Sequence, residues 1–480
     1  MTARESFAHA WAGTDLPDVA GSGEPIARHI HLVGIGGIGM SGIAEVLLTL
    51  GCRVTGSDLQ ESEMTRRLAS LGADIHLGHE EDNVADTTDV VVVSSAVNDA
   101  NPEIRAARSL RVPVIPRAEM LAELMRVKCG VAVAGAHGKT STTSLVAAML
   151  GAGGLDPTVV IGGRLKSLGG TNARLGRSRY MVAEADESDG SFLLLKPTIA
   201  VVTNIDREHM DYYGTFERLV DAYTEFINGV PFYGRVVLCV DDPQIASMLG
   251  RLKKRFVTYG TTPEADFAAV DVSYDELRAG FDVLHRGVSL GRFDVGMPGR
   301  HSVLNALASI AVAHEFNIDP EICRDALATF DGIMRRFEVK GEVDDVVVVD
   351  DYAHHPTEIR ATLGAARGSY RRRIVAVFQP HRYSRTSDLF QDFTAAFDDA
   401  DVVVVTDIYA AGETPVDSVD GRRLADALAR RHRGEVVYAP RDADLSGRVA
   451  RMAEPGDLVL TLGAGDITRL GPEILSRLGN

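Results

Sequence analysis

Short apolar runs rich in β-branched residues alternate with stretches whose apolar positions recur at helical spacing, over almost the whole chain. That alternation predicts an α/β architecture with parallel sheets. The runs fall into three blocks. The first starts at HIHLVGIG, passes through CRVTGSD and DVVVVSSAV, and ends near VPVIPRAEML. The second starts at CGVAVAGAHGKT and continues through YMVAEADESD, PTIAVVTNID and GRVVLCVDD. It ends after HSVLNALASIAVAHEF and FDGIMRRFE. The third runs from VVVVDDYAHHP through RRRIVAVFQPHR and DVVVVTDIY to DLVLTLGAGD. We place the domains at residues 25–126, 127–334 and 335–480, and expect residues 1–24 to be a loosely ordered tail. From about Phe267 to Met297 the rhythm changes to short strands, which predicts a local antiparallel sheet. In every block Gly, His or charged residues directly follow the strands, and open α/β sheets bind ligands at that edge.

A chain of 480 residues has room for about three domains of ~100–200 residues each. Its net charge of −17 argues against a general nucleic-acid partner, though not against local basic pockets. The four cysteines form no CxxC pair, which suits reduced core thiols of a cytoplasmic protein better than disulfides or a zinc site. No apolar run reaches the ~18–20 residues needed to cross a bilayer, and MTARESFAHAWAG lacks a signal-peptide core. We therefore expect a cytoplasmic protein without membrane insertion.

Two glycine-containing loops carry candidate phosphate chemistry. Gly34-Ile35-Gly36-Gly37-Ile38-Gly39 fits G-x-G-x-x-G, follows a strand and opens a helix expected over Ser41–Leu50, and Asp58 closes the next strand. This is a diphosphate-binding pattern, and NAD or another nucleotide diphosphate would both suit it. In the second block, GAHGKT resembles a Walker A loop with too few residues between its glycines. Lys139 would reach β- and γ-phosphates, and Thr140 could offer a hydroxyl to Mg²⁺. Acidic strand ends follow: Glu184-Ala185-Asp186-Glu187-Ser188-Asp189, then Asn204 and Asp206 with His209 and Asp211 beyond. A carboxylate at such an edge can hold Mg²⁺. Arg335-Arg336 stand at the second junction, where an arginine could stabilise a transferring phosphoryl group. Arg382 and Arg385 could converge on one carboxylate. The adjacent His354 and His355 lack a nearby soft third ligand for zinc.

Together, GIGGIGMSG, GAHGKTS, EADESDGSFL, TNIDREHMDYYG, GRHSVLNALA, FDGIMRRFE, DDYAHHPTE, FQPHRYSRT and LGAGD give the chain a resemblance to the Mur ligase family, over nearly its whole length. The resemblance implies three domains: an N-terminal Rossmann-like UDP-binding domain, a central P-loop-type ATPase domain and a C-terminal Rossmann-like domain that closes over both. It implies ATP-dependent joining of L-alanine to the lactyl carboxylate of UDP-N-acetylmuramate through an acyl phosphate, with Mg²⁺ or Mn²⁺, in cytoplasmic peptidoglycan synthesis. Carried over by motif, Gly36, Gly37, Gly39, Ser41, Asp58 and Ser95 would bind the UDP-sugar. Gly135, His137, Gly138, Lys139, Thr140, Ser141, Asn305, Arg336 and Asp351 would bind ATP. Thr140, Glu184 and His209 would hold metal. Tyr352, His381, Arg382 and Arg385 would position the acyl and amino-acid carboxylate groups. Lys139, His209, Arg336 and Arg382 would be the catalytic set. Either a monomer or a homodimer is compatible.

One departure is Ser302, where the family usually has Asn after the His of GRHN; a hydroxyl keeps only part of an amide's hydrogen bonding. GIGGIGMSG favours addition of L-alanine over attachment of a preformed peptide. An NAD-dependent oxidoreductase would leave the GKT loop and the third block without a role. A non-catalytic nucleotide sensor would leave Lys139, Glu184 and His209 without one.

Overall fold

The structure, a computed structural model, describes residues 29–94, 97–126, 128–165, 171–174 and 176–479. The tail expected over 1–24, and Ser95, lie outside the described residues.

The first block forms a five-stranded parallel sheet from β1 (His29–Val33), β2 (Arg53–Asp58), β3 (Asp74–Leu77), β4 (Val90–Val93) and β5 (Val114–Pro116), in the order β3-β2-β1-β4-β5. This is a Rossmann-type order with β1 at the centre, and all of β1 is buried, as expected for a strand covered on both faces. Helix α1 spans Ile38–Thr49, starting earlier than the expected Ser41. Gly37 is extended and its carbonyl accepts from the N–H groups of Met40 and Ser41, so the first turn winds up inside the glycine run.

The second block is a ten-stranded sheet. It comprises β6 (Cys129–Ala134), β7 (Thr158–Leu165), β8 (Thr171–Arg174), β9 (Tyr180–Glu184), β10 (Ile199–Val202), β11 (Arg235–Cys239), β12 (Phe256–Gly260), β13 (Phe267–Asp275), β14 (Arg278–His285) and β15 (Val288–Val295). The order is β15-β14-β13-β12-β11-β10-β6-β9-β7-β8. The antiparallel segment expected near Phe267–Met297 is present as β13–β15. It extends the main sheet, because β13 pairs with β12 through Tyr259↔Phe267. Helices α2 (Lys139–Ala152) and α3 (Arg300–Glu315) pack together on this sheet. The hydroxyl-rich start of α2 is buried without loss because Thr143 and Ser144 donate to the Lys139 and Thr140 carbonyls, at 2.8 and 2.6 Å.

The third block has six strands: β16 (Glu338–Val343), β17 (Val346–Asp351), β18 (Arg373–Phe378), β19 (Val402–Val405), β20 (Glu435–Tyr438) and β21 (Asp457–Leu462), in the order β16-β17-β21-β18-β19-β20. Only β16 runs antiparallel. Helix α4 (Pro356–Ser369) follows β17 and begins with Pro at its first position. The first two blocks share a continuous apolar core, from Ile30 and Leu32 to Val131 and Leu307. The third sheet has separate clusters, around Phe378 and Val377.

Candidate active site

The phosphate-loop candidate leaves β6 and enters α2. Gly138 has a φ of +79°, and a Cβ there would lie 2.7 Å from the Asn305 side-chain oxygen, so the loop requires glycine at this point. The rear of the loop is fixed by residues after β10. The Asn204 side-chain oxygen accepts from the His137 N–H at 2.8 Å, and the His137 carbonyl accepts from Asn204 Nδ2 at 2.9 Å and Thr203 Oγ1 at 2.6 Å. Lys139 Nζ donates to the Gly135 carbonyl and to Glu187 Oε1, both at 2.7 Å. Burial disfavours the ammonium, but Glu187, Glu184 and Asp186 outweigh it and hold the Lys139 pKa above its usual value. Ser141 lies in the first turn of α2, within the cavity wall described below.

Two sets of metal-type donors flank this lysine. Thr140 Oγ1 donates to Glu184 Oε1 at 3.1 Å, and Glu184 Oε2 accepts from the Gly162 N–H at 2.7 Å. Glu187, Glu208 and His209 present donor atoms within 4.8 Å of one another. Glu187 Oε2 is buried without a hydrogen-bond partner among the described residues. Burial lowers the His209 pKa, which favours the neutral imidazole that a metal needs. Carboxylate and hydroxyl oxygens with one imidazole suit Mg²⁺ or Mn²⁺.

His137, Asp206 and His355 form another close group, tied together and to Thr357, while His137 Nδ1 and His355 Nε2 are buried without a hydrogen-bond partner among the described residues. Asp206 Oδ2 faces His137 Nε2 at 3.0 Å and accepts from Thr357 Oγ1 at 2.7 Å, and His355 Nδ1 accepts from the Thr357 N–H at 3.3 Å. His137 is an imidazolium here: burial opposes the charge, yet Asp206 and Glu358 raise its pKa to about 10.

A cavity of about 430 Å³ opens between the phosphate loop and α3 on one side and α4 on the other. That volume lies in the range of ~300–1,000 Å³ common for small-molecule sites. Asn305 and Asp351 line it from opposite sides. Asp351 accepts from the Phe337 and Ala353 N–H groups at 2.7 and 2.8 Å, and burial pushes its carboxyl up to about 6. The Ser302 hydroxyl is turned away to the Pro298 carbonyl, at 2.8 Å. The arginine pair divides. Arg335 binds the Gly463 carbonyl at 2.6 Å, whereas Arg336 reaches the cavity and sits 3.6 Å from Glu358. Both guanidinium groups lie over Tyr352, at 4.9 and 5.2 Å from the ring centre.

The third block gathers Tyr352, His354 and His381 through ring contacts, and His381 stacks on Tyr409 at 5.6 Å. Burial pushes His381 down to about 3, so it is neutral and can accept from Arg385 Nη1 at 3.2 Å. Arg382 takes a φ of +69° and its N–H donates to the Tyr409 carbonyl at 2.8 Å. Arg382 and Arg385 both follow His381 in the chain, and among the described residues no carboxylate forms an ion pair with both.

In the first block, the Gly36 N–H donates to Asp58 Oδ2 at 2.9 Å, so the acid expected at a ribose also braces the glycine loop. Gly37 caps α1, and Ser41 is buried in its first turn. A Cβ on Gly39 would lie 2.5 Å from the Arg117 guanidinium, which spans to Asp186 at 3.5 Å. Arg117 thus links the glycine loop to the acidic end of β9.

Several residues escaped the sequence reading. Glu187 and Glu358 stood inside motifs already singled out, but only the fold sets them against Lys139, His137 and Arg336. Arg117 had one available signal, a basic residue directly after a strand.

Comparison with known proteins accords with this arrangement. Residues 29–128 match the Mur ligase family catalytic domain, 133–313 the Mur ligase middle domain, and 335–465 the Mur ligase glutamate ligase domain. A UDP-N-acetylmuramate–L-alanine ligase of Geobacter sp. strain M21 is 57% identical, over 94% of this chain and 98% of that protein. The protein of the same description from Myxococcus xanthus is 55% identical, over 94% of this chain and 95% of its own. Among solved structures, UDP-N-acetylmuramate–alanine ligase MurC of Thermotoga maritima aligns with a TM-score of 0.77 at 32% identity, covering 94% of this chain and 98% of that one. A murein peptide ligase of Psychrobacter arcticus aligns less closely, with a TM-score of 0.67 at 25% identity over 95% and 99% of the two chains. With three successive family domains on three sheets, and a phosphate loop facing acidic strand ends, the chain belongs to the Mur ligase family.

Proposed function

We propose that this chain joins L-alanine to the lactyl carboxylate of UDP-N-acetylmuramate, converting ATP to ADP and phosphate, in peptidoglycan precursor synthesis. The observation that carries this reading is Lys139, held at the mouth of a phosphate loop between Glu187 and the Gly135 carbonyl, in a chain 57% identical to a ligase of that description. A carboxylate is a poor acyl donor because its oxygen is a poor leaving group. Transfer of the γ-phosphoryl group gives an acyl phosphate. The alanine amine then attacks the acyl carbon, and phosphate departs with one of the original carboxylate oxygens.

Each residue has a task in that sequence. Backbone N–H groups of the loop through Gly138, with Lys139, receive the ATP phosphates, and Ser141, Asn305 and Asp351 border the nucleoside. Arg336 faces the γ-phosphate. Gly36, Gly37, Gly39, Ser41 and Asp58 form the diphosphate end of the UDP-sugar site. Tyr352, His381, Arg382 and Arg385 orient the acyl group and the alanine carboxylate. Thr140 with Glu184, and His209 with Glu187 and Glu208, would hold Mg²⁺ or Mn²⁺. When bound, the ions neutralise charge on the transferring phosphoryl group. The divisions at 126/127 and 334/335 belong to the same proposal, as does a cytoplasmic location. No described helix is long and apolar enough to cross a membrane.

An isotope experiment tests the chemistry. With ¹⁸O in the lactyl carboxylate, one labelled oxygen should pass into inorganic phosphate. Unlabelled phosphate beside labelled product amide and water would rule out the acyl phosphate.

A further inference from the structure

Glu358 lies outside every role assigned above, yet it stands where two blocks meet. Its side chain is only 10% exposed. The two carboxylate oxygens do different work. Oε2 accepts from the His354 and His355 N–H groups, at 3.0 and 3.3 Å, and so caps helix α4. Oε1 faces away from the cap, toward two cations: His137 Nδ1 at 3.5 Å and Arg336 Nη1 at 3.6 Å. A helix cap needs only one of these oxygens. The other joins the phosphate loop of the second block to the arginine at the cavity. Beside it, Thr357 Oγ1 donates to Asp206 at 2.7 Å, and Asp206 Oδ2 holds the far nitrogen of His137 at 3.0 Å. The His137 ring is thus clamped between a carboxylate of its own block and one of the third.

The geometry points to Glu358 as a positioning residue: it couples docking of the third domain to the shape of the phosphate loop, by pairing at once with His137 and Arg336. His137 passes the constraint to the loop backbone, whose N–H and carbonyl are already tied to Asn204. A third domain that swings away carries Glu358 and Arg336 off together and frees the His137 ring. ATP then meets a complete phosphate site only when the domain is docked. The groups facing His137 are Asp206 and Glu208 from the loop after β10, and Glu358 and His355 from the start of α4. Burial pushes His355 down to about 4, so it is neutral and leaves the carboxylates in command.

The inference rests on the ligase function proposed above, and one set of measurements separates the two. Glu358→Gln keeps an oxygen for the helix cap but removes the charge facing both cations. We expect kcat/KM for ATP to fall about 30-fold or more, as when one member of a buried charge pair is removed. Calorimetric affinity for UDP-N-acetylmuramate should stay within about twofold, because its site is on the first block. The alkaline limb of the kcat/KM profile should move to lower pH by about one unit or more, since His137 loses a carboxylate that holds its proton. Glu358→Asp should recover part of the loss. A uniform loss with an unmoved pH profile would reduce Glu358 to a helix cap and overturn the inference, as would no loss. Should Glu358→Gln fail to fold, Thr357→Val removes the neighbouring bond to Asp206 and with it only a long bond from the exposed Arg360, at 3.4 Å. A weaker loss in the same parameter is then expected, and wild-type kinetics would overturn the inference. If the wild-type enzyme itself released no phosphate with L-alanine, the function would fail. Affinity of wild type and Glu358→Gln for a non-hydrolysable ATP analogue would still decide the role of Glu358, a loss supporting it and equality overturning it.

Discussion

Lys139 separates the two proposed nucleotide sites. Among the described residues its ammonium bonds the Gly135 carbonyl and Glu187, both in the second block, and makes no hydrogen bond or ion pair to the first. Lys139→Ala should therefore lower turnover about a hundred- to a thousand-fold or more, as expected when a charge on the transferring group loses its partner. Binding of the UDP-sugar, followed by calorimetry, should remain nearly intact, and parallel loss of both would contradict the two-site division. The same residue marks how far local sequence could lead. GAHGKT could be singled out as a candidate because the loop is contiguous in sequence. Glu187 was not readable as its partner, since it lies 48 positions along the chain and meets Lys139 only because β6 and β9 are neighbours in the sheet.

At the scale of elements, the start of α3 is the most instructive. The sequence has Ser302 where an amide is usual, which put its part in nucleotide binding in question. The hydroxyl bonds the Pro298 carbonyl and closes the turn that opens the helix. Ser302→Ala should cost about 1 kcal/mol of stability in denaturant unfolding, the ordinary worth of one such bond. It should leave the KM for ATP within about twofold, because no bond to nucleotide is lost. A large rise in that KM with unchanged stability would show that the hydroxyl turns to the nucleotide. Alternation of apolar runs made the parallel strands legible in all three blocks. It also flagged the segment after Phe267, but not that β13 would add to the same sheet. A parallel pairing of only Tyr259↔Phe267 and Gly260↔Ala268 leaves no periodic mark in a sequence. The glycine run misled by a turn at α1, because Gly37 can serve as a cap as readily as a loop residue.

The whole molecule comprises three domains on three sheets, and they differ in how they share their cores. The first and second blocks share one apolar core, while the third sheet is stabilised by clusters of its own. Its contacts with the second block at the cavity include polar ones, Thr357 to Asp206 and Glu358 to His137. Polar interfaces of this kind permit relative domain motion. Binding ATP analogue, UDP-N-acetylmuramate and L-alanine together should favour the closed arrangement and keep water from the acyl phosphate. Small-angle scattering should then give a smaller radius of gyration with all ligands than without them, and an unchanged value would contradict closure. The central claim is the identity of the reaction, and one assay addresses it directly: phosphate release from ATP in the presence of UDP-N-acetylmuramate, with each amino acid and a cell-wall tripeptide supplied in turn. Release dependent on L-alanine is the predicted result. Release with the tripeptide and none with L-alanine would contradict it.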